Sequence, residues 1–238
     1  RMSSIHVTTD TDLKQSMILR RYLDLPKFLD LLHSQRLYLP RADGFADRLE
    51  GALFPGLRAS MDAAHARGDS HENADDFYRK ARTGSYVSCW SIGAKDNMAL
   101  WQLYGGAKTS LVVTTTVGRL IRLAFSWREP AELCRVKYVD HRRVSTYVIG
   151  RYTDVLRFKN EAFAYENELR LIVPRMGKEW KRNPMGLRLP VASLDDLVRS
   201  VVLAPEADPW FIEAVRGLCA KYGFNAPVRM SALATLPT

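Results

Sequence analysis

The run SLVVTTT at residues 110–116 narrows the fold more than any other stretch. Valine and threonine branch at Cβ and favour extended backbone, so the run predicts a strand. The residues that follow at once, VGRLIRLAF, read as a short helix. A strand running into a helix excludes an all-α or all-β chain, and the same alternation recurs along the sequence. SMILRRYL (16–23) predicts a strand, and DLPKFLDLLHSQ a helix with Pro26 in its first turn and Phe28, Leu29, Leu31 and Leu32 inward. Leu37 to Leu39 predicts a strand ended by Pro40; residues 41–56 read as loop, and 58–82 as polar and helical with a flexible middle. SYVSCWSIG (85–93) reads as a buried strand, and KDNMALWQLYGG as a helix capped by Asp96 or Asn97, with Met98, Trp101 and Tyr104 on one face. ELCRVKYV (132–139) alternates as a half-buried strand does, 141–158 reads as a basic helix, and ENELRLIV (166–173) and GLRLPV as strands. A short helix, a strand at Val201 to Ala204, a helix from Asp208 to Tyr222 and a last strand in APVRMS complete the pattern. At 238 residues, 47% of them hydrophobic, the chain is expected to form a single α+β domain over 1–238.

The charge is uneven. Lys plus Arg number 35 and Asp plus Glu 26, a net +9. Residues 119–159 hold 10 basic and 4 acidic residues, and 175–188 hold 5 and 1, so these two segments carry the positive field. Such a field suits an anionic partner, RNA or DNA or the phosphates of a nucleotide; its plain alternative is a solvated basic surface. No apolar run approaches the roughly 20 residues that span a bilayer, and the first residues lack the apolar core of a secretory signal. Cys89, Cys134 and Cys219 are odd in number, far apart and without CxxC spacing, which fits a reducing cytoplasm better than a zinc site.

Several chemistries lack their signatures. There is no GxxxxGK[ST] loop and no GxGxxG after a strand. The five histidines show no HExxH or HxH spacing, so no metal site is expected of them. Three features remain. Glu166 and Glu168 stand one residue apart in a predicted strand, where both would point to one face; like charges there repel and resist burial. Ser88 and Ser91 flank Cys89 and Trp90 in a second strand, and Arg20, Arg21 and Tyr22 cluster at the end of a third. Each has a plain explanation: a solvent-facing edge, serines satisfying backbone groups, solvated arginines.

Together, an early cation, mid-chain hydroxyls and a late carboxylate pair resemble the ADP-ribosyltransferase-like superfamily in its arginine–serine–glutamate form. More locally, LRRY (19–22), FADRLE (45–50), SCWSIGAKDNMALWQLY (88–104) and YENELR (165–170) are similar to the landmarks of an uncharacterised bacterial family. The sequence departs from them at Ala46, which replaces a polar residue, and in Ser-Cys-Trp-Ser, where the pattern has Ser-Thr-Ser. The resemblance implies split mixed and antiparallel sheets with flanking helices, NAD as the cofactor consumed, and transfer of ADP-ribose to a macromolecule. It also implies a toxin or anti-phage setting, in which an antitoxin or regulatory partner is expected.

In that reading Glu168 stabilises the positive charge that develops on the ribose as nicotinamide leaves. Glu166 orients or deprotonates the acceptor. Arg21, with Arg20 beside it, holds phosphates. Ser88 and Ser91 brace the site, and Tyr22, Trp90, Trp101 or Tyr104 stack on a base, although Met98, Trp101 and Tyr104 at helical spacing read more readily as core. Two rivals use the same residues differently. A metal-dependent nuclease would gather Asp47, Glu50, Glu166 and Glu168 around Mg²⁺, with Arg170 or Lys159 near the scissile phosphate. A non-enzymatic module would hold RNA or DNA on the basic segments alone.

Overall fold

The computed structural model describes residues 6–47, 49–143, 147 and 149–234. Along the chain run β1 (Val7–Thr9), β2 (Ile18–Asp24), α1 (Leu25–Ser34), β3 (Arg36–Pro40), α2 (Pro55–Ala66), α3 (Ala74–Thr83), β4 (Ser85–Ile92), α4 (Met98–Leu103), β5 (Ser110–Thr116) and α5 (Val117–Phe125). There follow β6 (Ala131–Arg135), β7 (Lys137–Val139), β8 (Phe158–Asn160), β9 (Glu168–Pro174), β10 (Gly186–Pro190), α6 (Leu194–Leu197), β11 (Ser200–Leu203), α7 (Pro209–Lys221) and β12 (Val228–Met230). Among the described residues no helix is long and apolar enough to cross a membrane.

Local chemistry sets several boundaries. Thr116 closes β5 and caps α5, its hydroxyl accepting from the Arg119 amide at 3.3 Å. Asp24 does the same between β2 and α1, accepting from the Lys27 amide at 2.8 Å. α1 ends where Gln35 turns left-handed at φ 47°.

The chain forms two compact units, with boundaries inside β3, β4 and β10. The first takes residues up to 10, 39–89 and 129–187. Its strands lie in the order β1, β6, β9, β4, with β1 parallel to β6 and β6 antiparallel to β9. Val87, Cys134, Leu156 and Ile172 pack beneath Ala81 of α3 in its core. The second takes 11–38, 90–128 and 188 onward. Its strands run from the end of β4 through β2, β5 and β11 to β12, antiparallel except for the last pair. Phe28 of α1 and Phe211, Val215 and Cys219 of α7 are buried there. Mixed sheets with flanking helices make the protein α+β, as expected.

Three sequence expectations are corrected. The basic helix over 141–158 is absent from its described part: Tyr152–Arg157 is a 3-10 turn and β8 begins at Phe158, while 144–146 and 148 lie outside the described residues. Asp154 accepts from the amides of Gly150 and Arg151 at 3.0 and 2.8 Å, which closes a tight turn in place of a helix. The strand over 132–139 is broken at Val136, whose amide donates to the Glu168 carbonyl at 2.9 Å, giving β6 and β7. The strand expected from 166 begins at Glu168; Glu166 ends a 3-10 turn over Glu161–Glu166.

Candidate active site

Asn167 joins that turn to β9 in the left-handed region, at φ 44°. Asparagine tolerates this conformation better than most residues. Glu166 and Glu168 therefore converge without sharing a strand. Both reach Lys159 of β8, whose Nζ lies 2.5 Å from Glu166 Oε2 and 3.4 Å from Glu168 Oε1. Arg170, two residues along β9 and so on the same face as Glu168, gives Nε and Nη2 to Glu168 Oε2 at 2.8 and 2.7 Å. Its Nη1 pairs with Glu50 and donates to the Leu156 carbonyl at 2.7 Å. Glu50 is turned inward by the loop before Gly51, which has φ 71° and whose added Cβ would meet Leu156 at 3.2 Å. The Glu168 amide donates to the Tyr138 hydroxyl at 2.9 Å.

All five charged groups are buried; Glu168 is 5% exposed and Arg170 1%. Three carboxylates thus face two cations in a low dielectric, and their proton affinities separate. Burial pushes Glu166 up, and the neighbouring Glu168 adds to the effect, bringing it to about 7. Burial acts on Glu168 in the same direction, but Arg170 and Lys159 outweigh it and hold its carboxyl well below the usual range. Burial raises the Cys89 thiol as well, and the nearby carboxylate of Glu168 reinforces this. Burial and the neighbouring charges thus shift the two carboxyls in opposite directions, Glu166 up and Glu168 down.

The first unit thus brings together Glu50, Glu166, Glu168 and Arg170. Asp47 lies in the same unit, its Oδ1 accepting from the Leu49 amide at 2.9 Å. Ser88 is fully buried, on the opposite face of β4 from Val87 and Cys89. The other expected residues belong to the second unit. There Arg21 donates to the Tyr38 carbonyl at 3.0 Å and lies 5.8 Å from the Trp90 ring centroid. Arg20 pairs with Asp96. Tyr22 meets Trp101 edge-on at 5.0 Å, both in the core, and accepts from the Asn97 amide at 3.2 Å. Ser91 stands opposite Arg20 across the β2–β4 pair. Met98 and Tyr104 are exposed at either end of α4, so only Trp101 of that trio is buried.

Lys159 has a part that spacing alone does not reveal. The nuclease reading sets it near a phosphate; it is the ammonium between two carboxylates. Tyr138 was not singled out at all, because its contact is to a main-chain amide. The basic segment 119–159 is also less open than its count suggests. Lys159 is buried, Arg157 pairs with Asp10 at 2.6 Å, and Arg119 donates to the carbonyls of Asp195 and Val198 at 3.1 and 3.0 Å. In the 175–188 loop Lys178, Lys181 and Arg182 are exposed.

No family model and no curated protein matches the chain. Among solved structures it is similar to Thermus sp. 2.9 DarT in complex with ADP-ribosylated ssDNA, at 8% identity and a TM-score of 0.42, covering 93% of this chain and 96% of that one. It is also similar to the same DarT in complex with NAD+, at 8% identity and a TM-score of 0.41, covering 92% and 96%. A likeness at this level transfers no residue roles. The resemblance to an uncharacterised bacterial family stands on its motifs alone.

Proposed function

We propose that the chain is an ADP-ribosyltransferase-like enzyme that cleaves NAD between nicotinamide and ribose and passes ADP-ribose to a nucleic acid. One observation carries the reading. Glu166 and Glu168 enclose a single positive charge, one carboxyl held ionised and the other raised toward neutrality.

The reaction needs those two states. As the C1′–N1 bond breaks, the pyridinium nitrogen takes the bonding pair and leaves as neutral nicotinamide. The ribose is left with oxocarbenium character. Ionised Glu168 stabilises that charge, an effect worth roughly 3–4 kcal/mol for one well-placed group. The acceptor then attacks C1′ and its proton passes to Glu166, whose raised affinity suits a general base. The Lys159 ammonium marks where positive charge is best stabilised, and in the reaction the sugar takes that place as the lysine side chain moves aside. The exposed lysines of 175–188 gather the acceptor without reading its sequence. A toxin or anti-phage role, with an antitoxin to restrain it, follows from the motif resemblance.

The nuclease alternative asks the same carboxylates to turn toward a shared divalent ion. Glu50 and Glu168 turn instead toward Arg170. The test is incubation with NAD labelled in the adenylate, beside total RNA, single-stranded DNA or cell lysate, while free nicotinamide is measured. Label transfer and nicotinamide release by the unaltered protein, both lost in Glu168→Gln, are expected. Absence of both from the unaltered protein, or their survival in the variant, overturns the reading.

A further inference from the structure

One face of the second unit carries a row of polar side chains across four neighbouring strands. Register sets Ser91 opposite Arg20, Arg20 opposite Thr114, and Thr114 opposite Ser200. The next row on that face is Tyr22, Val112, Val202 and Arg229. α4 lays Leu100 and Trp101 over the apolar members of this second row and stops short of the polar one. What remains is a cleft of about 250 Å³, lined among others by Arg20, Asp96, Thr114, Arg199, Ser200 and Arg229.

Its charges are not balanced. Arg20 is committed to Asp96, which also accepts from the Ser231 hydroxyl at 2.5 Å and the Ala232 amide at 3.1 Å. That pair is neutral and fixed. Arg199 and Arg229 are exposed, and among the described residues no carboxylate or hydrogen-bond acceptor engages either guanidinium. The lining therefore carries two more positive charges than negative. On the floor, Thr114 Oγ1 lies 2.7 Å from Ser200 Oγ and donates to the Ser200 carbonyl at 3.3 Å. When Thr114 donates instead to Ser200 Oγ, the Ser200 hydroxyl keeps its own proton to donate.

We infer that this cleft binds a small phosphate-bearing anion, of the size of pyrophosphate or a simple phosphomonoester, through Arg199 and Arg229 with the Ser200 hydroxyl as a further donor. Guanidinium groups match phosphate oxygens in geometry and stay charged at every working pH. Two unpaired ones facing one hollow repel each other, and a dianion removes that repulsion. The volume lies just below the range of about 300–1,000 Å³ that holds drug-sized ligands, which suits pyrophosphate or a small phosphomonoester. The site uses none of Glu50, Glu166, Glu168 or Arg170, and it stands whether or not the chain cleaves NAD.

Titration calorimetry on the whole chain tests it, with pyrophosphate, AMP and a single-stranded oligonucleotide as separate probes at matched ionic strength. Saturable binding of pyrophosphate or AMP is expected, weakened about tenfold or more in the Arg199→Ala, Arg229→Ala double variant. Ser200→Ala is expected to weaken it about two- to tenfold. Both arginines are exposed, so the double variant should keep the melting curve of the parent, which is recorded beside it. No binding of either small anion overturns the proposal. So does equal binding by parent and double variant, or binding of the oligonucleotide alone.

Discussion

Arg170 is the largest charged side chain in the interior, and it answers to two carboxylates at once. Removing one partner of a buried pair leaves the others uncompensated, at a typical cost of about 3–5 kcal/mol. Arg170→Met should therefore lower the urea midpoint strongly, and Glu168→Gln should lower it too, because its amide NH2 replaces one of the two oxygens that accept from Lys159 and Arg170. Glu166 gives a pH signature. Its folded-state affinity is raised to about 7, so the stability it contributes is complete below its unfolded value and is lost as pH rises through about 7. Glu168 works the other way: its depressed value contributes stability above the unfolded value that is lost as pH falls into the acid range. Denaturation free energy measured between pH 5 and 8 should decline for the parent and stay level for Glu166→Gln. If Glu166 is the general base, nicotinamide release with acceptor present should rise over the same interval.

At the scale of elements, the junction of the 3-10 turn with β9 is the hinge of the site. Asn167 in the left-handed region ends one element and starts the other. A side chain branched at Cβ there meets a penalty of roughly 1–2 kcal/mol. Asn167→Val should lose that much stability in urea, and Asn167→Gly should stay within about 0.5 kcal/mol of the parent. A loss in the glycine variant as large as that in the valine variant would mean that the asparagine side chain, not its backbone conformation, holds the turn. Strand β9 needs no such device beyond its start. Leu169 to Val173 are all buried, so this near-continuous apolar strand accepts charge only where Glu168 and Arg170 neutralise each other on one face.

At the scale of the molecule, the net charge of +9 bears on association rather than on fold. In 119–159 Arg119, Arg157 and Lys159 are engaged internally while Arg122, Arg128, Lys137, Arg142 and Arg143 are exposed, so these and the exposed lysines of 175–188 are the candidates for contact with a nucleic-acid acceptor. Each phosphate contact to a single strand contributes about 0.7 to the slope of log affinity against log salt. The Lys178→Ala, Lys181→Ala double variant should thus lower the magnitude of that slope for single-stranded DNA by about 1.4. An unchanged slope would assign the binding to another face.

The sequence alone determined what depends on near neighbours. β-Branched runs, capping residues and apolar spacing placed β5, α1, α5, α7 and the α+β class, because propensity and periodicity act within a few residues. It also singled out Glu50, Glu166, Glu168 and Arg170. It misread the connection between the two late glutamates, since a left-handed asparagine leaves no periodic trace. It mistook 141–158 for a helix, because basic residues are good helix formers and the Asp154 turn competes through side-chain bonds that composition does not show. Only the tertiary structure decided which cation sits between which carboxylates, because Glu50 meets Arg170 across 120 residues of chain. The cleft over Thr114 and Ser200 is of the same kind: four strands distant in sequence line up one polar residue each, and no single segment carries the pattern.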